Sequence, residues 1–431
     1  MAPAQSGTIR GIVVAADNGE RLGYTIVSHL PDGKEQFTSD SGTFTLIDVP
    51  AGPVRVRFRH LGFTPRDTTV TVVAARTTTV RIALTRVVLT LSTMHVVADR
   101  QCTQPGPPDP TVDSTLAAVF DQLQQNADRY RLLMREYPFR SAYEVTDAAV
   151  RPTGIIATIE ARADTAVSDD RWTYAPGRVV RDRGRIGAWV NIPTLDVFAD
   201  PRFVDAHCFW YGGLAPVDGD TLLRVDFRVS DRIDDPDLDG AMFLDPRTYL
   251  IRRTRLTLSR LPRSLNNGDS AVIVTRFDEL LPGVPFIADI LSTLHMKPNV
   301  HGSGPTQLLA TEEERRRVGV RFRDRTPERA HVAAVPPIVA PYAVRPVQVP
   351  RLLGVFDAES GAPIDSVIVT DSITGKSGRT TETGTVRLDF LSQAGGVLTL
   401  AKRGYATTIE RVSAAPDDTL PLTVLIPRVP R

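Results

Sequence analysis

An acidic segment in the middle of the chain offers candidate ligands for a metal ion. Asp235, Asp237 and Asp239 alternate along it, and Gly240 follows them. A calcium-binding loop begins in this way, because alternate carboxylates can converge on a hard cation and glycine permits the sharp turn. A bidentate glutamate should then stand at the twelfth position, which Pro246 occupies. Calcium binding is therefore one interpretation, and the other is a solvated hairpin loop whose charges discourage edge pairing.

A second group of reactive and aromatic side chains runs from His207 and Cys208 to Phe209, Trp210 and Tyr211. A Cys-His nucleophile requires the thiol and the imidazole to approach each other, whereas neighbours on a strand point to opposite faces. We therefore interpret the segment as aromatic core together with one half of a disulfide. The alternative is a ligand cavity lined by Phe209 and Trp210.

The chain has two cysteines, Cys102 and Cys208. A zinc site would need histidine partners for them, and no Cys-x-x-Cys pair is present. We predict a disulfide between them, which would close a long loop and stabilise the fold by about 4 to 5 kcal/mol. Two buried free thiols are the alternative.

No catalytic residue is predicted. The chain has neither a Gly-x-Ser-x-Gly nucleophile turn nor the Gly-x-x-x-x-Gly-Lys sequence that holds phosphates. The block of six charged residues from Glu312 to Arg317 favours a solvated turn or a short helix over a docking patch.

Composition argues against nucleic-acid binding and against a membrane-spanning helix. The 431 residues include 51 basic and 50 acidic side chains, so the formal net charge of +1 gives no overall field to attract nucleic acid. No stretch approaches the roughly 18 apolar residues that identify a membrane-spanning helix. The first residues lack the charged and apolar regions of a signal peptide, and their small residues and proline favour a terminus left after signal cleavage.

Two similar β patterns stand at the ends of the chain. From Gly7 to Arg86 apolar and polar residues alternate in short runs, which turn residues such as Asn18-Gly19 separate. This spacing predicts a β-sandwich of about seven strands. Glycines of the pattern recur between Leu352 and Arg428, three at a separation of 342 residues and Gly11 at 343, so we expect a second sandwich there.

The first pattern contains the motifs Gly11-x-Val13, Ser41-Gly42-Thr43-Phe44, Pro50-Ala51-Gly52 and Leu61-Gly62-Phe63. With these motifs it resembles the carboxypeptidase regulatory-like domain, a transthyretin-like β-sandwich. The second copy matches more loosely, since Val386 replaces Phe44 and Gly395-Gly396 replaces the Pro-x-Gly turn. The resemblance implies an envelope location. Domains of this family often accompany zinc carboxypeptidases, whose metal ligands follow a His-x-x-Glu pattern. None of the seven histidines has a glutamate three residues after it, so we expect no such peptidase site.

The central region combines one helix with many strands. Apolar residues recur at helical spacing from Leu116 to Tyr137, with Asp113 or Thr111 as the cap and Pro138 at the end. An antiparallel meander follows and suggests a curved sheet wrapped on the helix. This arrangement resembles the half-barrel of periplasmic lipoprotein carriers.

We therefore predict a mainly β protein, in which two β-sandwich domains flank a central α+β domain with one long helix against a curved antiparallel sheet. The expected units are the first sandwich at 1–99, the central domain at 100–325, a Pro-rich linker at 326–350 and the second sandwich at 351–431.

The expected function is that of a non-enzymatic structural or interaction protein of the bacterial cell envelope, in the periplasm or at its outer face. It would present its sandwiches to a protein partner. One alternative is a carrier or sensor that binds an apolar ligand in the central half-barrel. Another is an accessory subunit on the periplasmic face of a membrane complex. No cofactor is expected apart from calcium at Asp235, Asp237 and Asp239.

Overall fold

The structure is a computed structural model, and it describes residues 6–30, 33–87, 101–150, 156–168, 172–182, 188–265, 267–297, 310–328, 330, 348–371, 375–391, 396–412 and 422–429. The strands of the first sandwich are β1 Ser6–Ala15, β2 Ile26–His29, β3 Lys34–Phe37, β4 Thr43–Pro50, β5 Gly52–Arg59, β6 Arg66–Val72 and β7 Thr77–Leu84. The central elements are α1 Ser114–Glu136, β8 Phe139–Val150, β9 Ile156–Val167, β10 Val180–Asp182, β11 Ala188–Val190, α2 Pro201–Val204, β12 His207–Val217, β13 Asp220–Val229, β14 Leu238–Leu244, β15 Ile251–Leu258, β16 Gly268–Leu281, β17 Val284–Met296 and β18 Ala310–Phe322. The strands of the second sandwich are β19 Gln348–Asp357, β20 Ile368–Asp371, β21 Ser377–Arg379, β22 Thr385–Leu391, β23 Gly396–Ala401, β24 Thr408–Val412 and β25 Leu422–Ile426.

Each end of the chain forms a sandwich of two sheets, so the predicted mainly β fold class is confirmed. In the first sandwich the sheet orders are β4-β1-β7 and β3-β2-β5-β6, and β1 pairs with β7 in parallel. The second sandwich has the orders β22-β19-β25 and β21-β20-β23-β24, with β19 parallel to β25. Alternating apolar residues of the strands point between the two sheets and form a separate core in each sandwich.

The two sandwiches share one register, and it corrects the sequence alignment of their first strands. Gly11 lies opposite Phe44, whereas Leu353 lies opposite Val386. Gly354, the glycine that the sequence aligns with Gly11, is therefore one position beyond it. Side-chain volume accounts for part of the exchange, because a Cβ on Gly11 would lie 2.8 Å from the Phe44 ring as well as 2.6 Å from the Val80 carbonyl oxygen. The second copy has the smaller valine at this position and accommodates a leucine opposite it.

The central domain is a nine-stranded antiparallel sheet with the order β12-β13-β14-β15-β16-β17-β18-β8-β9. Helix α1 packs on one face of it, and the two share a single apolar core. Phe120 of the helix contacts Phe209 of β12 with ring centroids 4.6 Å apart. The helix begins after Asp113, whose carboxylate accepts a hydrogen bond from the Leu116 amide at 2.8 Å.

Helix α1 also contacts the first sandwich, so it is covered on two sides. Tyr24, Ile26 and Phe37 of that sandwich belong to the same apolar cluster as the helix. Polar bonds cross the contact as well. The Gly62 amide donates to the Gln122 side chain at 2.8 Å, and Arg59 forms an ion pair with Asp128.

Three segments of the central sheet differ from the sequence interpretation. The long strands β8 and β17 were not predicted. The charge block from Glu312 to Arg317 is neither a turn nor a short helix, because it lies within β18. Its charges form ion pairs with opposite charges on β9, which lies beyond β8 in the sheet, such as Arg162 at 2.9 Å from Glu313 and Asp164 at 3.1 Å from Arg315. These cross-strand pairs allow a highly charged sequence to form a strand.

The predicted domain boundaries stay predictions. Residues 329 and 331–347 of the expected Pro-rich linker lie outside the described residues, and β19 begins before the expected end of that linker. Within the described ranges, none of the helices has the length and apolarity to cross a membrane.

We expect Gly11→Leu to lower the free energy of unfolding by about 1 to 3 kcal/mol, because the new side chain would overlap Phe44. Adding Phe44→Val should recover part of this loss, so the two changes should cost less together than their sum. Urea denaturation followed by circular dichroism measures both effects. Gly319→Leu is the control, since a Cβ there meets nothing within 4 Å. Strictly additive costs would contradict the exchange of volume between the copies.

Candidate functional site

A groove of about 1050 Å³ opens at the surface of the central domain. One wall consists of the segment before β10, the β10 strand and the residue that follows β11. The other wall consists of the loops that precede β14 and follow β15. Its polar and aromatic lining residues include Trp172, Arg178, Arg181, Asn191, Asp234, Asp235, Arg260 and Arg263.

The charge of the groove is mainly positive, because four arginines line it against two aspartates. Arg260 donates to the Asp234 carboxylate at 3.2 Å, which partly neutralises one pair. Arg178, Arg181 and Arg263 are exposed on the groove walls. A guanidinium stays charged at all ordinary pH values and can bind a carboxylate with two parallel hydrogen bonds. The lining is therefore suited to an anionic ligand.

Trp172 and Asn191 add an aromatic surface and a hydrogen-bond donor. The half-buried Trp172 ring packs edge-on against Tyr174, with ring centroids 5.9 Å apart. The side-chain nitrogen of Asn191 is buried and has no hydrogen-bond partner in the part of the chain that the structure describes. A ligand carbonyl or carboxylate could accept from it.

A buried carboxylate beneath the groove fixes the wall that carries Trp172 and Arg178. Asp237 has no exposed surface and accepts from the Tyr174 hydroxyl at 2.9 Å and the Gly177 amide at 2.6 Å. Gly177 has a φ of +68°, and a Cβ there would lie 2.9 Å from the Cβ of Asp235. Only glycine suits this close approach. The wall is thus tied to the sheet by charge-assisted hydrogen bonds.

His207 completes the buried network but faces no solvent. Its Nδ1 lies 2.7 Å from the Phe203 carbonyl oxygen, its Nε2 lies 3.0 Å from the Leu238 carbonyl oxygen, and its exposed fraction is 0%. Burial lowers the pKa of His207, although the Phe203 carbonyl and the Asp237 carboxylate oppose this shift. Burial and the adjacent Asp237 raise the pKa of Tyr174. These acid-base groups are enclosed and hold structure.

The three aspartates of the calcium prediction lie in different surroundings. Asp235 lines the groove, Asp237 is buried beneath it, and Asp239 accepts from the Val229 amide at 2.8 Å. Across the described ranges, no three His, Cys, Asp or Glu side chains form a group that could hold a metal ion. The geometry thus gives Asp237 a structural role, and calcium binding stays a sequence-based prediction.

The structure joins the two cysteines in a disulfide, with 5.5 Å between the Cα atoms of Cys102 and Cys208. The bond ties the segment before α1 to β12. The neighbouring Phe209 lies in the core, which agrees with the interpretation of this segment as aromatic core and half of a disulfide.

The sequence interpretation missed the arginines of the groove. Pro176-Gly177 signals a turn, and Trp172 stands close before it. No local signal, however, links Arg178 to Arg263, because the antiparallel sheet and the buried Asp237 bring them to one groove.

Comparison with protein families identifies one domain. Residues 8–85 match the carboxypeptidase regulatory-like domain, which confirms the resemblance predicted for the first sandwich. The curated proteins contain no match to this chain.

Comparison with solved structures finds distant similarities. The Bacillus anthracis TIE protein is 10% identical over 98% of this chain, with a TM-score of 0.17, and the chain spans about half, 51%, of its length. A LolA superfamily protein from Nitrosomonas europaea is 11% identical, with 48% of this chain and 94% of that chain covered and a TM-score of 0.25. A DUF1329 family protein from Desulfovibrio piger is 13% identical, with coverages of 48% and 92% and a TM-score of 0.25. The last two matches fall on the central region.

We expect Asp237→Asn to lower the free energy of unfolding by about 1 to 3 kcal/mol, because both carboxylate oxygens accept hydrogen bonds, one from Tyr174 and Gly177 and the other from the Leu238 amide at 2.7 Å, and an amide has only one accepting oxygen. Hydrogen exchange of the Gly177 amide should accelerate at the same time. Asp239→Asn is the matched control, since its remaining carbonyl oxygen can still accept from Val229. Equal effects of the two substitutions would argue against a special role for Asp237.

Proposed function

We propose that the chain is a non-enzymatic interaction protein of the bacterial cell envelope, and that its central groove binds an acidic segment of a protein partner. The observation that carries this proposal is the set of four arginines in a groove whose wall is fixed by the buried Asp237. Complementary charge guides such a partner to the groove and sets its orientation. Because the backbone of this wall is held in place before binding, little backbone conformational entropy is lost when the partner binds.

Binding explains the groups of the site better than catalysis does. His207, Tyr174 and Asp237 are buried and bonded to the protein itself, so they are enclosed away from a substrate in the groove. The groove wall instead presents guanidinium groups, which are poor proton donors and acceptors near neutral pH. Their usual role is recognition of carboxylates and phosphates.

The disulfide and the first domain support the envelope location. A disulfide persists in oxidising compartments, whereas cytosolic thiols are kept reduced. Cys102 has an exposed fraction of 0%, and the bond closes a loop across a sequence separation of 106 residues. This buried disulfide therefore stabilises the fold only in a compartment that keeps it oxidised.

The packing of helix α1 favours this function over the apolar carrier. A carrier of that kind would need its ligand between the helix and the sheet. Phe120 and Tyr130 of the helix instead contact Phe209 and Phe286 of the sheet, with ring centroids 4.6 Å and 6.0 Å apart. The groove lies elsewhere, and its lining is polar.

The groove is tested with a fluorescein-labelled glutamate-rich peptide and fluorescence anisotropy on the full chain. Replacing Arg178 and Arg263 with glutamine should weaken binding at least about tenfold, which corresponds to about 1.4 kcal/mol. Raising the salt concentration should weaken the wild-type complex. The control is Arg10→Gln with Arg81→Gln, which removes the same charge from exposed positions of the first sandwich. Equal losses in both pairs, or no binding by the wild type, would contradict the proposal.

The compartment is tested by quenching intact cells with acid and alkylating the thiols in denaturant, because the buried Cys102 would not react in the folded protein. We expect Cys102 and Cys208 to stay unmodified until a reductant is added, and the protein to fractionate with the periplasm or the outer envelope. Replacing both cysteines with serine should lower the free energy of unfolding by about 2 to 5 kcal/mol. Full alkylation without reductant would overturn the envelope assignment.

A further inference from the structure

The equivalent strands β2 and β20 differ in burial. Every residue of β2 is buried. A strand of a two-layer sandwich is expected to bury only alternate residues, those that face the other sheet. In β20 the alternation is present, with Val369 and Asp371 buried and Ile368 exposed. Ile26 is 1% exposed, whereas Ile368, its equivalent, is 45% exposed.

Helix α1 accounts for the second buried face of β2. The outward side chains of Ile26 and Phe37 join the apolar cluster that contains the helix. Arg59 lies opposite Ile26 on the next strand and pairs with Asp128 of the helix. The outer face of this sheet is therefore a helix-binding surface, with an apolar centre and a charged residue at its side.

The same face of the second sandwich carries two exposed isoleucines, Ile368 on β20 and Ile409 on the edge strand β24. Ile368 lies between Arg379 and Ala401, and Ile409 lies opposite Thr399 in the adjacent row. Ile409 is 67% exposed. Its equivalent in the first sandwich is Asp67, which pairs with Arg57 at 2.6 Å on the same outer face, where both side chains stay partly exposed. The second copy thus has isoleucine where the first has a solvated ion pair.

We propose that the outer face of the sheet β21-β20-β23-β24 binds an amphipathic helix of a partner protein, as the outer face of β3-β2-β5 binds α1 within the chain. Four strands at a spacing of about 4.8 Å give a surface about 14 Å wide, which accommodates a helix of about 10 Å diameter. Arg379 stands where the first copy has Phe37, so the partner helix carries a carboxylate beside its apolar stripe. The inference rests on the proposed role as an interaction protein, but it does not depend on the groove.

The test places a photo-crosslinking amino acid in the full chain at position 368, 409 or 425 and irradiates living cells of the native host. Leu425 is the control, because it is 56% exposed and belongs to the other sheet of the same sandwich. Mass spectrometry of the adducts should find one partner segment at 368 and 409 but not at 425. That segment should have apolar residues at helical spacing and an adjacent Asp or Glu.

Introducing a charged residue at position 368 checks the contact. With the crosslinker at Thr399, Ile368→Asp should lower the adduct yield at least tenfold, whereas Leu425→Asp should leave it unchanged. Adducts that form equally at 425, or whose partner segment lacks helical periodicity, would overturn the inference. Absence of adducts at 368 and 409 would overturn it too. If the glutamate-rich peptide still binds the groove of the same protein, only this inference fails; if neither binds, the interaction role fails as well.

Discussion

The burial of helix α1 on two sides is the constraint on which the rest of the structure depends. Arg129 shows how closely the parts are joined. Its guanidinium lies 5.8 Å from the Phe37 ring of the first sandwich, and its Nε donates to the Gly283 carbonyl at the turn between β16 and β17. Burial lowers the pKa of Arg129 to about 9. Burying a cation is costly unless its polar partners stay in place, so loss of the contact with Phe37 or with Gly283 should destabilise this junction of the helix, the first sandwich and the sheet.

The groove depends on the same sheet through one carboxylate. Asp237 directly precedes β14, and the hydrogen bonds it accepts hold the Tyr174 and Gly177 segment against the sheet. These hydrogen bonds hold the segment that carries Arg178 beside the loop that carries Arg260 and Arg263. The position of the groove is thus a property of long-range packing, and its charge is a property of the surface residues.

Sequence periodicity identified the sandwiches, the helix and most of the central strands, because alternation and helical spacing are local signals. It could not identify β18 across Glu312 to Arg317, since the partners of those charges stand on β9 and are distant in sequence. The same limit applies to the site. No local signal shows that Asp237 accepts from the Gly177 amide and Asp239 from the Val229 amide, because only the folded sheet brings these donors to the two carboxylates. Only the Cys102–Cys208 pair could be anticipated, because two cysteines leave one possible bond.

The opposed pairs Gly11 with Phe44 and Leu353 with Val386 have a consequence for protein engineering. A chimera in which β19 replaces β1 would bring a leucine against Phe44, and one in which β1 replaces β19 would leave a gap beside Val386. The two modules are therefore interchangeable only as whole strand pairs. Recombination between the two copies of the gene segment would be selected against wherever the crossover falls between these strands.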